Sequence, residues 1–124
     1  MHTKIHSDKA PAALGPYSQG ISTTNRLYIS GQLGVDAATG KMPDEFAEQA
    51  ALVMRNIGFI LAEAGFEFKD IVKTTIFLSS MENFGVINEI YGAYFTEHKP
   101  ARSCFEVGRL PKDAKVEIEV IAEK

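Results

Sequence analysis

Three side chains near the end of the chain carry groups that can bind a ligand or act on it: the guanidinium of Arg102, the thiol of Cys104 and the carboxylate of Glu119. A guanidinium offers a planar fork of donors that grips a carboxylate through two parallel hydrogen bonds, which a lysine ammonium does not copy. A carboxylate in a cleft can position water and carry protons. A thiol attacks only where something holds it as the thiolate. His2 and His6 lie in the leader and His98 in the loop before the strand, so no histidine is placed to activate Cys104. That residue reads as a cleft wall whose backbone can hydrogen-bond a ligand. Strand arginines and glutamates commonly face solvent. Glu106, Glu117 and Glu123 are the controls for Glu119, which is set apart from them only by its expected neighbours.

Those neighbours follow from how the stretch Pro100 to Lys124 is read. One strand runs from about Arg102 to Arg109 and another from about Lys115 to Ala122, around a turn at Leu110–Ala114 that contains Pro111 and Asp113. The expected pairing is an antiparallel hairpin. Side chains alternate faces along a strand, so Ser103, Phe105 and Val107 point one way and Arg102, Cys104 and Glu106 the other. In the second strand Val116, Ile118 and Val120 share a face, opposite Glu117, Glu119 and Ile121. Setting Phe105 opposite Ile118 joins the apolar faces and puts Cys104 opposite Glu119. A slip of two residues puts Arg102 there. Either register predicts guanidinium, thiol and carboxylate on one polar face.

The rest of the chain must supply the scaffold. A short strand is expected near Ile5, then a loop broken by Pro11 and Gly15–Pro16. Tyr17 to Ser22 and Arg26 to Gln32 read as a hairpin around Thr23–Asn25. Asp44 to Ala64 has the apolar spacing of a helix, with Phe46, Ala50, Val53, Met54, Ile57, Leu61 and Ala64 on one stripe and Gly65 at its end. Asp70 to Leu78 is a strand apolar on both faces. Ser79 and Glu82 form a capping-box pattern before a second helix, Glu82 to Thr96. The order β, β, β, α, β, α, β, β predicts an α+β fold: a single sheet of about six strands with two helices on one face. The other face lacks cover within the chain, which predicts closure by further copies of itself.

Composition narrows the function. The chain has 124 residues, enough for one domain, residues 1–124. A net charge of −3 and a pI near 5.6 argue against nucleic acid as the main partner, because phosphate binding needs a dense basic patch. With one cysteine there is no internal disulfide, which suits a reducing compartment. The leader has no signal-peptide pattern and no stretch matches a transmembrane helix, so the expected location is cytoplasmic. Three scattered histidines and one cysteine give no metal-ligand spacing, and glycine-rich phosphate loops are absent, so no metal or cofactor is expected.

The long segment PARSCFEVGRLPKDAKVEIEVIA, Pro100 to Ala122, together with APAALGPYSQGI at Ala10, YISGQLGVD at Tyr28 and DIVKTTIFLSSMENFGVINEIYGAYF at Asp70, resembles the Rid (YjgF-type) family over essentially the whole chain. The resemblance implies a chorismate-mutase-like fold and a homotrimer whose sheets form a central barrel, with three sites in clefts between subunits. It implies cofactor-free hydrolysis of 2-imino acids, such as 2-iminobutanoate and 2-iminopropanoate, to 2-keto acids and ammonia. By position, Arg102 would bind the substrate carboxylate beside Cys104, Glu119 would handle water, and Tyr17, Ser30, Gly31 and Asn88 would line the cleft. Family members without the arginine lack the deaminase activity, and this sequence has it. The segment before Pro100, Glu97–Lys99, is shorter than in some relatives, so the resemblance assigns the central cluster but not the rim of the cleft. The rival class is a non-enzymatic trimer that binds a metabolite in a regulatory or chaperone-like role.

Overall fold

Helix α1 (Phe46–Glu63) forms where apolar residues recur every three or four positions, and it buries Phe46, Ala50, Val53, Met54, Ile57, Ile60 and Leu61. Gly65, at φ 79°, follows it in the left-handed region, where a residue without Cβ ends a helix at little cost. In the computed structural model, which describes residues 1–124, the strands are β1 (Thr3–Ile5), β2 (Gly20–Ser22), β3 (Arg26–Leu33), β4 (Ile71–Leu78), β5 (Ala101–Glu106) and β6 (Val116–Glu123). The second helix is shorter than its apolar pattern suggests. Ser80 accepts the Glu82 N–H at 3.2 Å and caps a 3-10 turn, which leads into α2 (Phe84–Gly92).

The six strands form one sheet in the order β1-β2-β3-β6-β4-β5. The expected element order, six-stranded sheet and two helices are all present. Both helices pack on one face, where Ile76, Leu78, Val116, Ile118, Val120 and Ala122 are buried among Leu27, Ile29 and the α1 stripe. Each fully buried Leu or Ile stabilises the fold by about 1.5–3 kcal/mol. A one-residue slip of β6 would move all of its core residues to the other face, so this alternation fixes the register. The opposite face, with Lys73, Thr75 and Phe77 of β4 and Glu117, Glu119 and Ile121 of β6, is not covered by any element of the chain.

The closing hairpin is a misreading. β5 pairs with β4 in parallel, through the α2 crossover, and β6 inserts between β3 and β4. Parallel neighbours need a long crossover such as a helix, and the β4–α2–β5 segment provides one. Residues 107–115 therefore make no tight turn. They pass through Pro111–Asp113, where Lys112 and Asp113 both take positive φ, and Arg109 donates to Asp113 at 2.7 Å. The parity within each strand is as expected; the pairing between them is not. Ser103 and Glu119 both stand level with Thr75, on the open face. Arg102 and Cys104 point to the helix side, so Arg102, Cys104 and Glu119 do not share a face.

Candidate active site

Strand β3 is irregular where the site residues cluster. Ile29 pairs with Val120 and Gln32 with Ile118, so Ser30 and Gly31 together stand opposite the single residue Glu119. Such a bulge bends a strand and re-aims its side chains. The Ser30 N–H donates to the Gln19 carbonyl at 2.9 Å and its hydroxyl to the Ser18 carbonyl at 2.6 Å, tying the bulge to the segment that carries Tyr17. Gly31 has no side chain, and the Glu117 carboxylate occupies the space: a Cβ on Gly31 would lie 2.5 Å from Glu117 Oε2.

Two amides buried on α1 hold the strand ends beside this point. Gln49 accepts the Lys115 N–H at 2.9 Å, just before β6. Asn56 donates to the carbonyls of Leu33 and Val35 at 3.1 and 2.9 Å, just after the bulge. The Gln49 oxygen and the Asn56 nitrogen thus fix the flanks of Gly31 and Glu117, while Asn56 Oδ1 is left without a partner. The result is a cavity of about 670 Å³ lined by Tyr17, Gln19, Ser30, Gly31, Lys112 and Glu117, with Leu14, Leu33 and Val35 as apolar wall. Glu119 lies in a neighbouring basin of about 300 Å³ with Lys73, Thr75 and Tyr28.

Burial raises the pKa of the half-buried Glu117 above the ordinary carboxylate range, and the like charge of Glu119 adds to the effect. A carboxylate with a raised pKa is a better acceptor of a proton from water. The shift also carries a stability cost with a definite sign. A carboxyl whose folded pKa exceeds its unfolded value, about 4.3, favours folding fully below that value and loses the contribution as pH rises through the folded value. Glu117→Gln is therefore expected to unfold at a higher temperature than the native protein at pH 7.5 and at the same temperature near pH 4. Equal midpoints at both pH values would contradict the assigned burial.

Arg102 sits on the sheet's outer strand, against α2. Its Nη1 donates to Asn88 Oδ1 at 2.7 Å, and its guanidinium carbon lies 5.6 Å and 5.3 Å from the ring centres of Phe84 and Tyr91. Tyr91 is braced by a 2.8 Å hydrogen bond to Thr74 beneath. The guanidinium is thus held in place with donors to spare. The Val107 N–H donates to the Leu78 carbonyl, and backbone groups alternate sides along a strand. The N–H groups of Arg102, Cys104 and Glu106 therefore point to the free edge. The Cys104 side chain packs against the core, and burial raises the pKa of its thiol despite the opposing pull of Arg102.

The residues fall into two groups. Tyr17, Ser30 and Gly31 line one cavity. Arg102, Asn88 and the Cys104 backbone stand on the other side of the sheet, at its β5 edge. Glu119 stands opposite Ser30 and Gly31 and shares a basin with Ser30, but it does not line the larger cavity, and the carboxylate seated on Gly31 is Glu117. Sequence reasoning passed over Glu117, because the assumed hairpin singled out its neighbour. Their shared parity was the available signal, since both point to the open face and pairing alone decided between them. Gln19 and Lys112 were also missed, and nothing in their local sequence marks them.

A family model described as endoribonuclease L-PSP matches residues 7–124. The 2-iminobutanoate/2-iminopropanoate deaminase of Escherichia coli strain K12 is 47% identical over 125 residues, 98% of each chain. The mouse protein of the same name is 46% identical over 119 residues, 95% of this chain and 88% of that one. The crystal structure of Escherichia coli TdcF with bound serine superposes with a TM-score of 0.94 at 42% identity, covering 98% of both chains.

Proposed function

The chain belongs to the endoribonuclease L-PSP family, that of the Rid (YjgF-type) proteins, and from this premise we infer that it hydrolyses reactive 2-imino acids to 2-keto acids and ammonia. It is a 2-iminobutanoate/2-iminopropanoate deaminase, a cofactor-free hydrolase of C–N bonds, and the fold and cavity accommodate that chemistry. The observation that carries its mechanism is the seating of the Glu117 carboxylate on Gly31 in a cavity that Arg102 of the same chain does not reach.

Glu117 on β6 stands level with Phe77 and Phe105, whereas Arg102 is three residues farther along β5. The two are separated by about 10 Å along the strands and by two strand spacings, about 10 Å, across them. They also project from opposite faces. An imino acid of a few heavy atoms cannot bridge that gap. The proposed site therefore takes Tyr17, Ser30, Gly31 and Glu117 from one copy and Arg102, Asn88 and the Cys104 backbone from the next. The uncovered sheet face and the free β5 edge are the surfaces available for the contact, and a homotrimer closes it by symmetry.

In this assembly the guanidinium holds the substrate carboxylate by a bidentate pair. Backbone N–H groups at Gly31 and Cys104 orient the imine. Water held by Glu117 gives up a proton to the carboxylate as its oxygen adds to the imine carbon. Glu117 returns that proton to nitrogen, giving the amino alcohol, and then carries the hydroxyl proton to the amine as the C–N bond breaks, so that ammonia departs and a 2-keto acid remains. Imines hydrolyse unaided in water, so positioning and one acid–base group suffice. The serine bound to TdcF, itself a small carboxylate, fits this ligand class.

A coupled assay tests the reading. Threonine dehydratase generates 2-iminobutanoate, semicarbazide traps what remains, and the protein should suppress the trapped product in proportion to its concentration. An unchanged yield of semicarbazone would sink the deaminase assignment. In the same assay Cys104→Ser should keep most of the activity, because its thiol is turned to the core and held protonated by burial. Its inactivity in a folded trimer would show that the thiol has a chemical role.

A further inference from the structure

Residues 6–19 connect β1 to β2 without a helix or strand, and they supply Pro11, Ala12, Leu14 and Tyr17 to the cavity wall. A connection this long in a small domain is usually functional. Leu14 and Tyr17 are 82% and 53% exposed, so they have little packing to hold them. Ala10 is buried in the core, and what ties that part of the segment to its far end is one side chain. Gln19 is 1% exposed, and its amide oxygen accepts the Ser7 N–H at 2.7 Å. Its amide nitrogen donates to the carbonyls of Pro11, Ser7 and Ala10 at 2.7, 3.2 and 3.4 Å. Apart from the Ser18 carbonyl, which accepts the Ser30 hydroxyl at 2.6 Å at the end of the stretch, the other hydrogen bonds are local ones, such as Ala10 N–H to the Ser7 carbonyl at 3.3 Å. Through its own carbonyl Gln19 also accepts the Ser30 N–H, one residue from Gly31.

We propose that Gln19 is a positioning residue that clasps the β1–β2 loop to the β3 bulge, and so sets how tightly the site holds its carboxylate ligand. The inference rests on the deaminase reading for its ligand, but the clasp can be observed without turnover. Only an uncharged amide has both the acceptor for Ser7 and the donors for Pro11 and its neighbours. A carboxylate of the same shape keeps the acceptor and sets negative charge against three carbonyl oxygens. Protonation would restore one donor, which falls to Pro11 as the nearest acceptor. Gln19→Glu therefore converts the clasp into one that opens as pH rises.

The test compares native protein, Gln19→Glu and Gln19→Ala at pH 5.5 and pH 8. One arm measures 2-ketobutyrate affinity by calorimetry, and the other measures amide exchange over residues 7–17. The native protein at each pH is the reference, since the exposed His6–Asp8 pair lies in the same loop in every variant. At pH 8 Gln19→Glu should bind the keto acid about tenfold more weakly, the loss of one to two neutral hydrogen bonds, with faster exchange in the loop. At pH 5.5 both readings should return to within about threefold of native, since protonation restores the shortest bond. Gln19→Ala should be weakened at both pH values. In turnover the KM should rise while kcat holds, because Arg102 and Glu117 are untouched. Should Gln19→Ala fail to fold, Gln19→Asn, whose amide is one methylene too short to reach Ser7 and Pro11 together, should shift both arms in the same direction by less. Native affinity in Gln19→Glu at pH 8, or a loss that acid does not reverse, would overturn the proposal. So would faster loop exchange with unchanged affinity. A native protein that clears no imine yet shows the exchange pattern would refute the deaminase reading and leave the clasp standing.

Discussion

Glu117→Gln should lower kcat by about a hundredfold while leaving 2-ketobutyrate binding intact, the scale expected when a single acid–base group is lost. The amide keeps the shape that lies against Gly31 and still hydrogen-bonds water. It cannot take the proton that water must lose, nor return one to the departing nitrogen. Removing a negative charge from the cavity should, if anything, tighten binding of a carboxylate ligand. Glu119→Gln is the control. Its carboxylate lies in the adjoining basin and reaches Glu117 only as a like charge on the same face of β6. Its loss should lower the Glu117 pKa modestly and change kcat by no more than about threefold, the reach of a through-space effect between partly solvated groups. If Glu119→Gln were the inactive variant and Glu117→Gln the active one, the assignment would be reversed.

Arg102→Lys should reduce kcat/KM by roughly tenfold or more, the loss of about one charge-assisted hydrogen bond. The charge survives but the planar fork does not. The aromatic faces of Phe84 and Tyr91 that flank the guanidinium suit a flat, weakly hydrated cation better than an ammonium. Asn88 Oδ1 would lose its 2.7 Å partner as well. The fall should appear in keto acid affinity and in turnover alike, which separates this variant from Glu117→Gln. Normal ketobutyrate binding by Arg102→Lys would mean that the cleft is not built around this arginine.

Most of the scaffold was legible because it rests on local periodicity. The α1 stripe, the β2–β3 hairpin and the alternation of β6 each declare their buried face within a few residues. The closing strands failed for a non-local reason. A proline and an aspartate between two alternating runs suggest a hairpin, yet insertion of β6 between β3 and β4 buries Val116, Ile118 and Val120 on both flanks. Nothing within the segment records that preference. The error passed to the site, since the hairpin both joined Glu119 to Arg102 and hid Glu117. Tyr17, Ser30 and Gly31 came through the family resemblance, and their convergence depends on a bulge that the sequence marks only by a glycine in a strand. Gln19 was invisible because its partners are backbone groups that any sequence would present.

The central claim is that the catalytic carboxylate and the substrate-binding guanidinium come from different copies of the chain. Mixing two impaired variants tests it most directly. Arg102→Ala and Glu117→Gln proteins, each trimeric and each with only residual deaminase activity alone, are unfolded together, refolded at equal concentration and assayed. In a closed ring each site needs an intact Glu117 from one subunit and an intact Arg102 from its neighbour. Random assembly then restores about a quarter of the sites, and about a quarter of native activity should return. If both groups served a site within a single chain, no mixture could contain a complete site. Failure of the refolded mixture to regain activity, with mixed trimers demonstrated by mass, would contradict the account.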